Sequence, residues 1–128
     1  MSFLLDTHAL IWWWLDSTKL PTATRALLAD RTNDVSVSAA AGWEIATKVN
    51  KGKLPEMTAY VGDYASLVVR AGFRHLDIRH DHGLHAGLLP GAHGDPFDRM
   101  MAAQALIENL TVVTRDPAFA NFGCSVQW

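Results

Sequence analysis

Apolar and polar positions alternate along the chain in blocks that predict strands and helices in turn. Short, uninterrupted apolar runs are typical of strands buried on both faces, whereas apolar positions three or four residues apart are typical of helices. These patterns predict strands at Ser2–Leu5, Val35–Ser38, Phe73–Ile78, Thr111–Thr114 and, as an edge strand, Ser125–Trp128. They predict helices at Thr7–Leu15, Thr22–Ala29, Ala39–Asn50, Tyr60–Ala71, Asp81–Leu88 and Pro96–Glu108.

The order of these elements predicts the fold class. Strands that alternate with helices are characteristic of a parallel sheet covered by helices on both faces. We therefore predict a three-layer α/β/α sandwich with a central, mainly parallel sheet. No linker, repeat or low-complexity tract divides the 128 residues, a length typical of one domain, so residues 1–128 are interpreted as a single domain.

Composition and charge narrow the class of protein. Apolar residues make up 49% of the chain, enough for a substantial core. Eleven Lys and Arg against thirteen Asp and Glu give a net charge of −2, which excludes a polybasic nucleic-acid binder but leaves a nucleic-acid enzyme that uses metal ions. The single cysteine, Cys124, cannot form an internal disulfide, so a reducing, cytoplasmic setting is expected. No apolar run has the length of a membrane span and no signal peptide is evident, so no membrane association is expected.

Four acidic residues stand where predicted strands end or the following helices begin. Asp6 directly follows the first strand, and Glu44 lies in the helix after the second. Asp98 lies in the first turn of the helix that Pro96 opens, and Asp116 follows the strand at 111–114. Because the carboxyl ends of parallel strands meet at one edge of a sheet, we expect these four acids to share one crevice.

Such a cluster predicts a particular chemistry. Two carboxylates about 5 Å apart repel each other by roughly 3 kcal/mol at an effective dielectric constant near 20. A hard divalent cation removes this conflict, and Mg²⁺ or Mn²⁺ prefers oxygen ligands. Ions of this kind activate water and stabilise in-line displacement at phosphorus. An all-carboxylate site therefore favours metal-dependent hydrolysis of phosphodiesters.

Taken singly, each acid has an ordinary structural alternative. Asp6 is placed to cap a helix, Asp116 to begin a turn, and Glu44 to lie on the surface. Asp95 is interpreted as a helix cap with a proline at the first helical position. Asp98 differs because small apolar residues at 101, 102 and 105 should face the sheet and turn Asp98 toward the crevice. Together, the four acids favour a functional site.

Four segments of the chain resemble, in the same order, the motifs of PIN-domain ribonucleases, especially VapC-type toxins of toxin–antitoxin systems. The third segment is long enough to be specific, whereas the first and fourth alone are weak. The resemblance spans essentially the whole chain. The segments are Leu4–Leu10 (LLDTHAL), Ser38–Ala46 (SAAAGWEIA), His93–Ala105 (HGDPFDRMMAAQA) and Val113–Asp116 (VTRD).

This resemblance implies a fold, an activity and partners. It implies a PIN-like domain that cleaves RNA endonucleolytically with Mg²⁺ or Mn²⁺ and is neutralised by a cognate antitoxin. The family's acidic quartet falls on Asp6, Glu44, Asp98 and Asp116, and Asp95 leaves a second candidate beside Asp98.

Roles for these residues follow from their chemistry. Asp6, Asp98 and Asp116 are predicted to hold the metal directly or through water, and Glu44 to bind the same ion or orient the attacking water. Hydroxyls beside the acids are expected to support them, at Thr7 and Thr114. Arginines adjoin two of the acids, at Arg99 and Arg115, where they would bind phosphate or form ion pairs with the acids.

Three further features bear on partners and cofactors. Trp12, Trp13 and Trp14 lie in a helix that is apolar nearly all round, so one of them is predicted to reach an interface with a second copy, as in a homodimer, or with an antitoxin. His82 and His85 have a spacing seen in zinc sites, but no cysteine lies near them and zinc is disfavoured. His93 is expected to fix its loop through a hydrogen bond, with an approach to substrate as the alternative.

Other classes of protein explain the pattern less well. A response-regulator receiver domain would have an acidic pair after the first strand and a late lysine, but no lysine follows Lys53. An aspartyl phosphatase would have a second aspartate two residues after Asp6, where His8 stands. A non-catalytic binding module, whose acidic groove engages a basic protein partner, remains the main alternative. Metal-dependent turnover distinguishes it from the nuclease.

Overall fold

A five-stranded parallel sheet lies at the centre of the computed structural model, which describes residues 1–128. The strands follow the spatial order β3–β2–β1–β4–β5, and every neighbouring pair is parallel. The predicted α/β class with a parallel sheet is confirmed. The strands are β1 (Ser2–Leu5), β2 (Asp34–Ser38), β3 (Arg74–Leu76), β4 (Thr111–Val113) and β5 (Val126–Gln127).

Eight helices connect and cover these strands. They are α1 (Thr7–Trp14), α2 (Thr22–Ala29), α3 (Ala39–Asn50), α4 (Thr58–Gly62), α5 (Tyr64–Arg70), α6 (His80–Leu88), α7 (Pro96–Glu108) and α8 (Pro117–Asn121). A 3₁₀ turn at Pro55–Met57 precedes α4. None of the helices combines the length and the apolar character that crossing a membrane requires.

The central strand, β1, organises both the core and the site. Its residues Phe3, Leu4 and Leu5 are all buried, so both faces of the sheet are covered, as the uninterrupted apolar run predicts. Leu4 pairs with Ser36 of β2 on one side and with Val112 of β4 on the other. The chain fills the sheet outward from β1 in one direction and then returns to place β4 on its other side. The gap between β1 and β4 is therefore the switch in strand order, where open α/β sheets bind ligands.

Two parts of the predicted secondary structure are wrong. The single helix predicted at Tyr60–Ala71 is broken at Asp63, whose φ of −113° and ψ of 19° lie outside the helical region. The preceding Gly62 disfavours a continuous helix by about 1 kcal/mol relative to alanine, which explains the break. The sequence also predicts only a turn after Asp116, whereas α8 begins there with Pro117 at its first position.

Each of the three consecutive tryptophans of α1 packs against an aromatic ring of its own chain. The Trp12 ring lies 5.8 Å from that of Trp128, and the Trp13 ring lies 5.5 Å from that of Phe73. Trp14 stacks on Tyr60 with a centroid distance of 5.7 Å. All three remain partly exposed, so α1 is covered by intramolecular packing without being closed off from solvent.

Candidate active site

Backbone and side-chain hydrogen bonds join the ends of β1 and β4 at the switch in strand order. The backbone N–H of Asp6 donates to the carbonyl of Val113 over 3.1 Å. The hydroxyl of Thr114 donates to Asp6 Oδ2 over 2.8 Å. Asp6 thus lies against the end of β4, and the two strand ends that the sequence predicts to meet form one side of a crevice.

The Asp6 carboxyl group is almost fully buried, with 4% of the residue exposed. Burial raises its pKa, and the negative charge of Glu44 raises it further. The hydrogen bond from Thr114 acts in the opposite direction because it stabilises the ionised form. The protein alone therefore only partly stabilises the ionised form of Asp6.

Glu44 reaches the crevice from the second turn of α3. Ser38 caps this helix by accepting the N–H of Ala40, which fixes its start at the end of β2. The Glu44 residue is buried, and its Oε2 forms an ion pair of 2.6 Å with Nζ of Lys48, one turn further along the helix. Its Oε1 is also buried but has no hydrogen-bond partner. A buried oxygen of this kind can still accept a ligand.

Asp98 is held at the start of α7. Asp95 caps the helix by accepting the N–H groups of both Phe97 and Asp98, as the sequence predicts for Asp95. Burial raises the pKa of Asp98 to about 6, opposed by a hydrogen bond from His93 and supported by the charges of Asp95, Asp6 and Glu44. His93 Nε2 lies 2.9 Å from Asp98 Oδ2.

Asp116 is linked to Asp6 through Thr114 and lines two clefts that none of the other three acids lines. Its N–H donates to the Thr114 hydroxyl, which in turn donates to Asp6. Its carboxylate caps α8 by accepting the N–H of Ala118. The charge of Glu44 raises the pKa of Asp6, and the charges of Asp6 and Glu44 raise the pKa of Asp98, whereas Asp116 contributes to neither shift.

The donor set fits a hard divalent cation, although the carboxylates are not arranged as a ready-made metal centre. The site supplies several carboxylates near the switch point and an unpartnered buried oxygen on Glu44, and Lys48 is the one lysine or arginine that pairs with them. No three His, Cys, Asp or Glu side chains are arranged to hold an ion. Lys48 and His93 instead engage Glu44 and Asp98. Small side-chain movements away from these partners would be needed for common ligation.

The family model of the PIN domain matches residues 3–123 of the chain. The chain therefore belongs to the PIN-domain family. This family consists of nucleases, and the match covers all four acids at the crevice. A comparison with curated proteins gave no significant match.

Solved structures share the PIN fold over nearly the whole chain. VapBC2 from Rickettsia felis, bound to a promoter DNA fragment, has a TM-score of 0.74 at 20% identity, covering 99% of this chain and 98% of that one. FitAcB from Neisseria gonorrhoeae has a TM-score of 0.67 at 23% identity, covering 97% and 95%. VapBC-1 from nontypeable Haemophilus influenzae has a TM-score of 0.66 at 18% identity, covering 99% and 97%. At these identities the likeness establishes the fold.

The two arginines beside the acids of this PIN domain have different surroundings. Arg99 donates to the backbone carbonyls of Ala86, His93 and Leu89, so it fixes the loop between α6 and α7. The Arg115 guanidinium instead lies over the ring of Trp12, 4.5 Å from its centroid. The ion pair with the acids that the sequence leaves open forms for neither arginine.

The predicted supporting hydroxyls also differ. Thr114 contacts both Asp6 and Asp116, as described above. Thr7 is buried, and its hydroxyl points to the sulfur of Met101 at 3.8 Å rather than to an acid. Thr7 therefore contributes to the packing of α1 against α7, and only its backbone N–H favours the ionised form of Asp6.

Sequence reasoning missed two contacts that position the PIN-domain acids. Lys48 follows Glu44 by four residues, a spacing that signals an ion pair on one helix face. Ser38 donates to the Gln104 side chain, and Gln104 donates to the carbonyl of Asp77. This buried link joins α3, α7 and the end of β3. No local sequence pattern predicts this link, because its partners are 66 and 27 residues apart.

Proposed function

We propose that this PIN domain is a metal-dependent endoribonuclease that acts as the toxin of a toxin–antitoxin pair. The observation that carries the proposal is the convergence of Asp6, Glu44 and Asp98 at the switch in strand order, with Asp116 at its rim. Three acids whose charges raise the pKa values of Asp6 and Asp98 have no evident role in stabilising the fold. They are suited to holding positive charge.

Asp6, Glu44, Asp98 and Asp116 would hold Mg²⁺ or Mn²⁺, directly or through water. When bound, such an ion supplies an activated water and stabilises the charge that develops when a phosphodiester is hydrolysed. Support for this part of the proposal is the all-carboxylate donor set and the buried, unpartnered Oε1 of Glu44. Glu44 is also placed to orient the attacking water.

Other side chains of the domain keep the acids in position. The Thr114 hydroxyl donates to Asp6 and accepts a hydrogen bond from the backbone N–H of Asp116, so one side chain fixes the relative positions of two acids. His93 holds one oxygen of Asp98, and Asp95 fixes the helix start from which Asp98 projects. Such partners orient carboxylates before substrate arrives.

Cleavage of a mixed total-RNA substrate by the purified protein tests the proposal, with Mg²⁺, with Mn²⁺ and with chelator. We expect discrete fragments whose formation requires the metal. Asp98→Asn should lower the cleavage rate by about 100-fold or more, as for loss of a group that acts in the transition state. Asp63→Asn is the matched control, because Asp63 is exposed and its side chain has no partner.

The possible results separate the nuclease from its main alternative. Equal cleavage by wild type and Asp98→Asn would mean a contaminating nuclease or a different site. Metal-independent binding of a basic protein, with no cleavage of RNA under any condition, would favour a binding module with an acidic groove.

We propose further that the chain pairs with an antitoxin and forms a homodimer in the cytoplasm. Support for the antitoxin comes from the family and from the structural neighbours, whose names, VapBC and FitAcB, are those of complexes. The partly exposed tryptophans of α1 are a candidate contact. We expect a dimer in sedimentation velocity, shifted toward monomer by at least one of Trp12→Ala, Trp13→Ala and Trp14→Ala.

Because each of these rings packs within its own chain, the variants require a control for folding. Near-ultraviolet circular dichroism of each variant supplies it. A native spectrum with an unchanged dimer for all three variants would exclude α1 as the interface. A monomeric wild type at tens of micromolar would contradict the homodimer.

A further inference from the structure

A cleft of about 530 Å³ adjoins the acidic crevice and has the opposite chemical character. It is lined by His8, Trp12, Lys19, Arg115, Asp116 and Pro117. Asp116 lines this cleft and is linked to Asp6 through the Thr114 hydroxyl, so the cleft lies next to the acids. The chain as a whole has a net charge of −2, which makes two cationic side chains beside an acidic site a local exception.

The guanidinium of Arg115 is held without being neutralised. Its central carbon lies 4.5 Å from the centroid of Trp12, and its side chain is exposed and forms no hydrogen bond or ion pair within the chain. Stacking on an aromatic ring uses the face of the guanidinium and leaves the N–H donors at its edge available. Arg99 provides the contrast, since backbone carbonyls occupy its donors.

Lys19 adds a second available cation at the same ring. Its Nζ lies 5.7 Å from the Trp12 centroid, and no carboxylate pairs with it. The Trp12 ring is itself held by the edge-on contact with Trp128 and by His8, whose ring centroid lies 5.6 Å away. Trp12 therefore presents two cations to the same cleft.

We infer that this cleft binds a backbone phosphate of the RNA strand next to the phosphodiester that is cleaved, an inference that rests on the proposed function. A strand that enters an acidic crevice is repelled by it, so binding requires cations nearby that are not already paired with carboxylates. Arg115 and Lys19 meet this requirement. Guanidinium and ammonium groups are the usual partners of RNA phosphates.

A second cleft beside Asp116 indicates on which side of this residue the cations would contact the strand. It has a volume of about 360 Å³ and lies between the loop at 90–93 and α8, on the other side of Asp116 and Pro117. No lysine or arginine lines it. The structure therefore assigns phosphate binding to the Trp12 side alone, while the strand passes over Asp116.

Fluorescence anisotropy of a short, fluorescein-labelled single-stranded RNA tests the inference in the Asp98→Asn background with Mg²⁺, where the RNA should stay intact. Arg115→Gln and Lys19→Gln are introduced separately and together. Arg70→Gln and Lys51→Gln are matched controls, because each removes an exposed, unpaired charge of the same kind elsewhere.

We expect Arg115→Gln to weaken RNA binding about 10-fold, the size expected for loss of a hydrogen bond to a charged group. Each cleft variant should also lower the slope of log K against log salt by about 0.7, the value for one phosphate contact in a single strand. The two controls should leave both quantities near those of the parent.

The result that overturns the inference does not depend on cleavage. Parent-like affinity and salt slope in the double variant, or no RNA binding by the parent itself, would overturn it. Unchanged RNA binding with weakened binding of an acidic peptide would assign the cleft to a protein partner and overturn it as well. If wild type cleaves no RNA but binding depends on Arg115 and Lys19, the proposed function fails and the phosphate site stands.

Discussion

At the scale of single residues, the acids of this site are compensated by neighbours from the same chain. Lys48 pairs with Glu44, His93 with Asp98, and Thr114 donates to Asp6. The Lys48 pair joins a buried carboxylate to a lysine whose side chain is 38% exposed. A lysine in this position occupies Oε2 of Glu44 and leaves Oε1 as the only free oxygen of that carboxylate. We therefore expect Lys48 to compete with a bound cation for the charge of Glu44 and to stabilise the metal-free fold.

Lys48→Met separates these two effects. In chelator we expect the variant to lose about 2 kcal/mol of unfolding free energy, because Glu44 stays buried without its counter-charge. The loss is smaller than for a fully buried pair because Lys48 is only partly desolvated. Added Mg²⁺ should stabilise the variant at lower concentrations than wild type. Denaturant unfolding during a Mg²⁺ titration measures both quantities.

Lys51→Met is the control for Lys48→Met, since Lys51 lies one turn further on and is exposed. It should change neither the stability in chelator nor the Mg²⁺ dependence. A Lys48→Met variant that needs more Mg²⁺ than wild type would show that Lys48 assists metal binding rather than competing with it.

At the scale of elements, the same dipeptide opens two helices next to the site. Asp95–Pro96 begins α7, and Asp116–Pro117 begins α8, each with the aspartate accepting backbone N–H groups. The sequence predicts the first correctly because a long apolar pattern follows it. The second is followed by only five helical residues, too few for a periodic pattern, so only a turn could be predicted.

Asp95 is consequently expected to act through the helix rather than through the metal. Serine caps helices about as well as aspartate, so Asp95→Ser should keep the unfolding free energy and most of the RNA cleavage. Asp95→Ala should lose about 1 kcal/mol of stability and part of the cleavage, because the first turn of α7 carries Asp98. Thermal unfolding and initial cleavage rates test this ordering. Loss of cleavage in Asp95→Ser as large as in Asp98→Asn would instead make Asp95 part of the metal site.

At the scale of the whole molecule, a parallel sheet explains how much of the site could be predicted. The ends of β1 and β4 had to meet at the switch in strand order, so Asp6 and Asp116 could be assigned to one crevice from the order of elements. The orientations of the Arg99 and Arg115 side chains could not be predicted, because they depend on which carbonyls and rings the folded chain brings near. The Ser38–Gln104 link is equally non-local. The topology of the sheet brings the acids together, whereas tertiary packing decides which side chains pair with them.

Burial of Asp98, and secondly the charges of the neighbouring acids, should also govern how the stability of the whole domain depends on pH. The pKa of Asp98 is raised from 3.8 to about 6, so between these values the folded chain binds more protons than the unfolded chain. The unfolding free energy of the metal-free protein should therefore fall as pH rises from about 4 to 6, by at most about 3 kcal/mol for this group. Above pH 6 this contribution is constant, and Mg²⁺ should restore stability by binding the ionised acids.

Denaturant unfolding in chelator across this pH range measures the effect. Asp98→Asn should be more stable than wild type at pH 7 and should have a shallower pH dependence. Some dependence should remain in that variant, because burial also raises the pKa of Asp6. Asp63→Asn, at an exposed position, should keep the wild-type profile. Parallel curves for wild type and Asp98→Asn would mean that Asp98 titrates at its ordinary pKa in the folded chain. The acids would then be too far apart or too well solvated to require a cation.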